Sequence, residues 1–176
     1  MELKFEWDRN KAKSNFRKHN ITFDEARTIF SDDFVITFPD GLHSDEEHRF
    51  ISIGFSTKSR ILLVVHTEEA RFKNEIVIRI ISTRKATASE EKAMKKENKE
   101  MLAEYDFSGK KGVRGKYAKA YKKGHSVRIY GGDKLVSDEY FGAIDSDIRE
   151  YFPDSKAVNG ALRKLISLVS KRSRTS

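Results

Sequence analysis

Apolar and polar residues alternate in the first half of the chain in a way that predicts two short helices and a small sheet. KFEWD (4–8) alternates as a short strand, and Asp8 can then cap a helix over residues 9–19. TFDE (22–25) has the spacing of a capping box, which predicts a second helix through Phe30. Four further runs predict strands, and the short links between them favour antiparallel pairing. These runs are FVITF (34–38), RFISIGF (49–55), RILLVVH (60–66) and EIVIRIIS (75–82).

The second half has a weaker pattern. The charged stretch 90–104 can be a solvated helix or a linker, and we place the domain boundary in it. Residues 104–124 combine four glycines with many lysines, which indicates an arm that orders against a partner. HSVRIY (125–130) alternates as a strand, DSDIREYF (145–152) can form one helix, and Pro153 starts a last helix with an apolar stripe. Because this unit is too small to close a core alone, we expect a homodimer or larger assembly. The predicted parts are 1–92, 93–124 and 125–176.

Charge separates the two halves. Residues 1–92 contain 16 Lys or Arg and 16 Asp or Glu, whereas residues 93–176 contain 19 and 11, so the whole net charge of +8 lies in the second half. A basic half of this kind favours a polyanionic partner, with a merely soluble basic surface as the alternative. There are no cysteines, no metal-binding histidine spacing and no glycine-rich phosphate loop, so we expect neither metal nor cofactor. With no long apolar segment, we expect a soluble cytoplasmic protein without a membrane partner.

The octet HSDEEHRF (43–50) concentrates six ionisable residues at the start of a predicted strand. Glu47 and Arg49 are two apart and face the same way if strand geometry holds there. Arg79 is a cation in an otherwise apolar strand, where it needs an ionic partner or a cleft. An acid–base pair beside arginines suits RNA cleavage by the neighbouring 2′-hydroxyl. A solvated loop for the octet, a packed structural role for His66 and an Arg79–Glu47 bridge are the alternatives left open.

Four motifs of the first half occur in an order that is typical of one protein family. They are FEWD-x2-KA-x2-N-x2-KH (5–19), HS-x2-E-x-R-F (43–50), LVVHTE (63–68) and RIIS-x-RKAT (79–87). Together they make residues 3–90 resemble the BrnT family of bacterial type II toxins. The resemblance implies a RelE-like fold, a ribonuclease that arrests translation, and an antitoxin encoded alongside. It places the recurring polar positions of the family on His43, Glu47, Arg49, His66, Arg79 and Arg84.

The resemblance also suggests roles for these residues. We expect the three arginines to hold the scissile phosphate, Glu47 to act as base, and His66 or His43 to act as acid. Glu91 and Met94 stand where the family usually has an arginine and a tyrosine, which shifts the chemistry toward the arginines. The lysines expected to contact RNA are Lys11, Lys18 and Lys85.

Residues 101–176 resemble antitoxins found next to such toxins. The matching stretches are YDFS-x3-GVRGKYAKAY (105–121) and FPDSKAVNGALR (152–163), and the similarity is to ribbon–helix–helix repressors. In that fold two copies pair one strand each into a ribbon that enters the major groove of DNA. The alternative is that HSVRIY forms an edge strand in a purely toxin-binding module. The residues expected to contact DNA are Ser126, Arg128, Tyr130, Ser155 and Lys156.

These observations predict an α+β protein with a RelE-like antiparallel sheet, followed by a small ribbon–helix–helix-like domain. Its function would be that of a toxin–antitoxin fusion, natural or engineered. A metal-independent endoribonuclease is neutralised by the attached antitoxin part, which covers the active face with Arg114 and Lys116. The expected partners are RNA, the antitoxin segment in cis or in a second copy, and operator DNA. The alternative function is a catalytically inactive toxin-like partner of a DNA-binding autorepressor.

Overall fold

The computed structural model describes residues 2–40, 48–71, 74–97, 104–107 and 110–168. Within them the chain has a mixed α+β fold. The strands are β1 Glu2–Asp8, β2 Ile36–Pro39, β3 Arg49–Phe55, β4 Ile61–Arg71, β5 Glu75–Lys85, β6 Glu104–Phe107, β7 Lys110–Arg114, β8 His125–Gly131 and β9 Lys134–Phe141. The helices are α1 Arg9–His19, α2 Phe23–Arg27, α3 Ala88–Glu97, α4 Ala118–Lys123, α5 Ser146–Arg149 and α6 Ser155–Leu168, with a 3₁₀ turn at Thr28–Ser31. The described strands form one sheet in the order β6-β7-β2-β3-β4-β5-β1-β8-β9.

Local side-chain caps place the first helices where the pattern predicts them. The Asp8 carboxylate accepts hydrogen bonds from the backbone N–H groups of Asn10 and Lys11, which starts α1. Asn20 ends that helix in the left-handed conformation, with φ of 55°. The Thr22 hydroxyl accepts from the Glu25 amide and starts α2. The two helix starts and the Asn20 end are confirmed, whereas α2 ends at Arg27 and a 3₁₀ turn replaces its predicted last residues.

The predicted strands form, with changes at their ends. Strands β2 to β5 are antiparallel as expected, whereas β1 pairs in parallel with β5, so the sheet is mixed. β2 begins only at Ile36, because a turn in which the Asp32 carboxylate accepts from the Phe34 amide keeps the preceding residues out of the sheet. β4 continues beyond His66 to Arg71, where cross-strand pairing with β5 holds a polar stretch that has no hydrophobic alternation.

Different helices pack on the two faces of the sheet. Helices α1, α2 and α4 lie over one face, with a core that includes Phe5, Trp7, Phe30 and Tyr117. α3 covers part of the other face, where Met94 packs in a second core cluster with Ile36 and neighbouring aliphatic residues. The remainder of that second face, around β1, β5 and β8, is polar.

The segment 104–124, expected to be an arm that orders against a partner, forms regular elements against the first-half sheet. Its described residues form the β6–β7 hairpin and α4. β7 pairs with β2 at one edge of the first-half sheet, and β8 pairs with β1 at the other edge. Strand addition satisfies the backbone groups at both edges of that sheet.

The ribbon expected between two copies is also not the arrangement found. β8 is hydrogen-bonded in parallel to β1 and antiparallel to β9, so both of its edges are occupied within the chain. The stretch 131–144, which a ribbon–helix–helix fold would use as a connection, instead turns and forms β9. The alternative of an edge strand is equally incorrect, since β9 lies outside β8.

Contacts divide the chain after Gly142, into units 1–142 and 143–176. The second unit contains α5 and α6; the helix expected over 145–152 is limited to Ser146–Arg149, and the last helix begins at Ser155, where the Asp154 carboxylate accepts from the Ala157 amide. The boundaries predicted at residues 92 and 124 separate the toxin, arm and antitoxin parts. A division by contacts does not test them, so they stay predictions. Among the described helices, none is both long and apolar enough to span a membrane.

Candidate functional site

A row of polar residues crosses the open part of the sheet. Arg49 is the register partner of Thr67, Thr67 of Arg79, Arg79 of Glu6, and Glu6 of Arg128. Register partners on neighbouring strands project to the same face of a sheet. Arg49 and Arg79 are therefore on one face, two strand spacings or roughly 10 Å apart. This row brings two of the predicted phosphate-binding arginines together.

A β-bulge adds the third arginine to that face. Arg79 and Arg84 are five residues apart, a spacing that puts side chains on opposite faces of a regular strand. The register between β4 and β5 shifts at Val65 and His66, whose partners are Ser82 and Ile80. The extra residue in β5, Ile81, inverts the alternation of side chains beyond it. Arg84 therefore projects to the same face as Arg79.

The Arg79 guanidinium is held by a carboxylate. Its Nε and one terminal nitrogen lie 2.7 and 2.6 Å from Oε1 of Glu6, which is buried, while the Arg79 side chain is 61% exposed. Arg79 borders two cavities of about 290 and 280 Å³. The first is lined by Glu6, His48, Thr67, Glu68, Glu69, Val77 and Arg79. The predicted RNA contact Lys11 and the predicted DNA contact Tyr130 both line the second cavity.

Arg84 is engaged at the start of α3. Its two terminal nitrogens each donate to Glu90 at 2.9 Å, and the same carboxylate accepts from the Thr87 amide. The guanidinium of Arg84 lowers the pKa of Glu90 to about 2. Arg84 thus helps to cap a helix in this conformation. Lys18 and Lys85, the other predicted RNA contacts, are exposed and line neither of the two cavities.

His66 is a buried, neutral histidine. Its Nε2 lies 2.8 Å from the Ser52 hydroxyl, which is 2.7 Å from the Thr37 hydroxyl, and its ring stacks on Phe50. Burial, and then the nearby Lys116, lower its pKa to about 3. A fully buried neutral imidazole cannot reach a substrate or deliver a proton in this conformation. The expected acid role therefore does not fit the tail-covered chain, and the packed role left open above does. His43 and Glu47 lie outside the described residues.

The second half of the chain contacts the face of the sheet that carries His66 through Lys116. Its ammonium lies 2.5 Å from Oε2 of Glu68 and 5.0 Å from the centres of the Phe50 and Tyr117 rings. Glu68 is nearly buried, and its other oxygen is 3.8 Å from Nδ1 of His66. A lysine of the predicted arm therefore contacts the first-half sheet, but on the face opposite the arginines that the arm was expected to cover, because Glu68 is adjacent to Thr67 in β4.

The predicted DNA contacts are dispersed. Arg128 donates to Asp138 of β9 at 2.9 Å, and Ser126 is half-buried on the same face. Ser155 and Lys156 are exposed at the start of α6, in the smaller unit.

The sequence analysis did not identify Glu6 and Glu68, the carboxylates that pair with Arg79 and Lys116. Glu68 follows His66 by two residues in a strand, so their shared face was detectable from the spacing. Glu6 carried no such signal, because its pairing with Arg79 depends on β1 lying beside β5. In the described part of the chain, no group of three or more His, Asp or Glu side chains is placed to hold a metal ion.

Comparison with known proteins identifies the first half. Residues 7–90, slightly less than half the chain, match the family described as ribonuclease toxin, BrnT, of type II toxin–antitoxin systems. Among solved structures, the 1.1 Å crystal structure of the Brucella abortus ribonuclease toxin BrnT matches at 23% identity with a TM-score of 0.34, covering 48% of this chain and 97% of that one. The curated proteins contain no match. Residues 7–90 are therefore a BrnT-type toxin domain.

Proposed function

We propose that the chain is a metal-independent endoribonuclease toxin joined to its own neutralising segment. The family match of residues 7–90 supports the toxin part. The neutralising role rests on one observation: strands of the second half occupy both edges of the first-half sheet, through β7 on β2 and β8 on β1. The toxin domain would arrest translation by cutting RNA when that cover is absent.

Phosphate binding is the chemistry that the arginines support best. Forked guanidinium donors match phosphate oxygens, and Arg49 and Arg79 share a face next to a cavity of about 290 Å³. Arg84 joins them if its pair with Glu90 opens. Glu47 is the base that the sequence favours, and His43 becomes the favoured acid because His66 is buried.

Removal of residues 101–176 tests this function. Expression of the shortened chain should arrest growth, and the purified protein should cleave RNA, whereas the full chain should do neither. Arg79→Ala in the shortened chain should reduce cleavage about a hundredfold or more. A folded shortened chain that is harmless, and stays so with Glu91→Arg and Met94→Tyr, contradicts the proposal.

The second half is further proposed to bind operator DNA as an autorepressor and to assemble at least as a homodimer. Its net charge of +8 and the exposed apolar residues of α6 support these two roles. DNA affinity should fall steeply with salt, because contacts to several phosphates release counterions. A nearly flat salt dependence contradicts operator binding.

An inactive toxin-like partner of a DNA-binding autorepressor is the second candidate. The observations that favour it are the buried neutral His66 and the ion pairs that engage Arg79 and Arg84. Incubation of RNA with residues 1–93, with and without Arg79→Ala, separates the two, since only the ribonuclease loses a cleavage activity on substitution.

A further inference from the structure

A cavity of about 630 Å³ lies between α1 and the β8–β9 hairpin. Trp7 and Ile129, which are register partners on β1 and β8, line it. Trp7 directly follows Glu6, the register partner of Arg79, so the cavity lies on the face of the sheet opposite Arg79. It is therefore separate from the phosphate-binding face described above.

The wall that α1 contributes is strongly cationic. Residues 9–19 contain five Lys or Arg and no Asp or Glu, and all five cations are exposed. Arg9, Lys13 and Arg17 line the cavity at four-residue intervals, which places them about 6 Å apart along the helix axis. Within the described ranges, none of these three forms an ion pair. A row of unpaired cations, one per helical turn, attracts a polyanion whose charges repeat over a similar distance.

The floor of the cavity offers an apolar contact next to these cations. Phe16 and Val136 line it from the two sides, and their side chains are 46% and 50% exposed. Phe16 is adjacent to Arg17 in sequence and three residues from Lys13, so its ring lies close to the cationic row. Proteins that bind single-stranded nucleic acids combine these two features, because cations hold the phosphates while bases stack on aromatic rings.

The wall opposite α1 carries carboxylates. Glu139 of β9 and Asp24 of α2 line this side of the cavity. Carboxylates repel phosphates, but they accept hydrogen bonds from the amino groups of bases, such as N4 of cytosine. A single strand matches this arrangement, since its phosphates lie along one edge and its bases along the other. A duplex would present phosphates to both walls.

We propose that the groove between α1 and the β8–β9 hairpin binds a segment of single-stranded RNA. Phosphates of the strand bind to Arg9, Lys13 and Arg17, and a base stacks on Phe16. The choice of RNA rests on the ribonuclease function proposed above, and the groove adds a binding surface away from the scissile phosphate. Because β8 and β9 supply one wall, the second half of the chain contributes to RNA binding. The full chain therefore binds RNA without cleaving it.

The cationic row is tested with the full chain and a short fluorophore-labelled oligocytidine, by fluorescence anisotropy at several salt concentrations. Lys13→Gln combined with Arg17→Gln should weaken binding at least about tenfold. It should also lower the slope of log affinity against log salt by about 1.4, because each phosphate contact of a single strand contributes about 0.7. Lys119→Gln with Lys123→Gln is the matched control, since it removes two exposed cations one turn apart on α4. An unchanged slope in the α1 variant overturns the row.

The place of the bases is tested separately. Phe16→Ala should weaken binding about tenfold without changing the salt slope, whereas Phe16→Tyr, which keeps a ring, should bind as the wild type does. Phe34→Ala is the control, because that side chain is 48% exposed but lies outside the cavity. Oligocytidine should bind more tightly than oligouridine, and Glu139→Val should remove the difference. Binding that is insensitive to Phe16→Ala, or equal for the two oligonucleotides, overturns the placement of bases in the groove.

Other occupants are outcomes of the same measurement. Duplex DNA and a poly-glutamate peptide of similar length should lose less affinity than RNA in the Lys13 and Arg17 double variant. Equal losses for either ligand would overturn the proposal, because the row would then be a general anionic contact. Absence of cleavage by the chain lacking residues 101–176, with these binding effects intact, contradicts the ribonuclease function alone. Cleavage without these binding effects contradicts the groove alone.

Discussion

Two buried histidines are kept neutral in the larger unit. Burial and Lys116 lower the pKa of His66 to about 3, and burial and Arg27 lower that of His125 to about 4. His125 lies between the Tyr121 and Phe141 rings and 2.7 Å from an Arg27 nitrogen, so a proton there is unfavourable.

The free energy of unfolding should therefore depend on pH. Both pKa values are lower in the folded state, so the unfolded chain binds more protons below about pH 6.5, and stability is lost as pH falls toward 4. At pH 5 each histidine should contribute a loss of about 1–2 kcal/mol relative to pH 7. Thermal unfolding at both pH values measures this loss. His125→Gln should reduce the pH dependence and the exposed His19→Gln should not; equal slopes in both variants would contradict the explanation.

Variants of the Glu6–Arg79 pair separate the contribution of Arg79 to stability from its contribution to RNA cleavage. Arg79→Ala leaves the buried Glu6 carboxylate unpaired, which should lower stability by about 1 kcal/mol, given how exposed the guanidinium is. It should also reduce RNA cleavage by the chain lacking residues 101–176 about a hundredfold or more. Adding Glu6→Gln removes the unpaired charge and should recover stability without recovering cleavage. Recovery of both would show that Arg79 acts only through the fold.

At the scale of elements, the turn between β7 and α4 decides where Lys116 and Tyr117 lie. Gly115 has φ of +58°, donates its N–H to the Val35 carbonyl at 2.8 Å, and would place a Cβ only 2.8 Å from the Asp33 carbonyl oxygen. No L side chain fits this position without moving the backbone of the first half.

Gly115→Ala should therefore destabilise the fold by more than the strain of a left-handed backbone conformation alone. Gly132 is the matched control, since its φ is +64° but a methyl group added there would meet no atom within 4 Å. Gly132→Ala should lose about 1 kcal/mol and Gly115→Ala clearly more. Chemical denaturation measures the difference, and hydrogen exchange should show faster exchange of the α4 amides in Gly115→Ala only. Equal losses would mean that the close approach to Asp33 relaxes freely.

At the scale of the whole molecule, the division after Gly142 predicts independent behaviour of the two units. A chain ending at Gly142 should unfold at nearly the same temperature as the full chain, because the sheet and both core clusters lie before that point. It should lose self-association and DNA binding if α6 carries them. Calorimetry and sedimentation measure the two effects. A large fall in the unfolding temperature would contradict the division.

In the second half, the pattern of residues predicts strands but not which strands become neighbours. Alternation in HSVRIY correctly predicts a strand with Val127 buried, yet it does not specify the neighbour. Strand edges carry the same backbone groups whatever the sequence, so pairing with a second copy and pairing with β1 are equally consistent with the pattern. The glycines and lysines of residues 104–124 obscured the β6–β7 hairpin for a similar reason: its pairing with β2 supplies the order.

The sequence by itself determined the local structure and the identity of the first half. The Asp8 and Thr22 caps and the Asn20 helix end involve atoms a few residues apart, so their hydrogen bonds form whatever the rest of the chain does. Only the tertiary structure decided that Glu6 pairs with Arg79, that a bulge turns Arg84 to the same face, and that Lys116 covers Glu68. Those contacts join residues far apart in the chain, and their positions depend on which strands become neighbours and in what register.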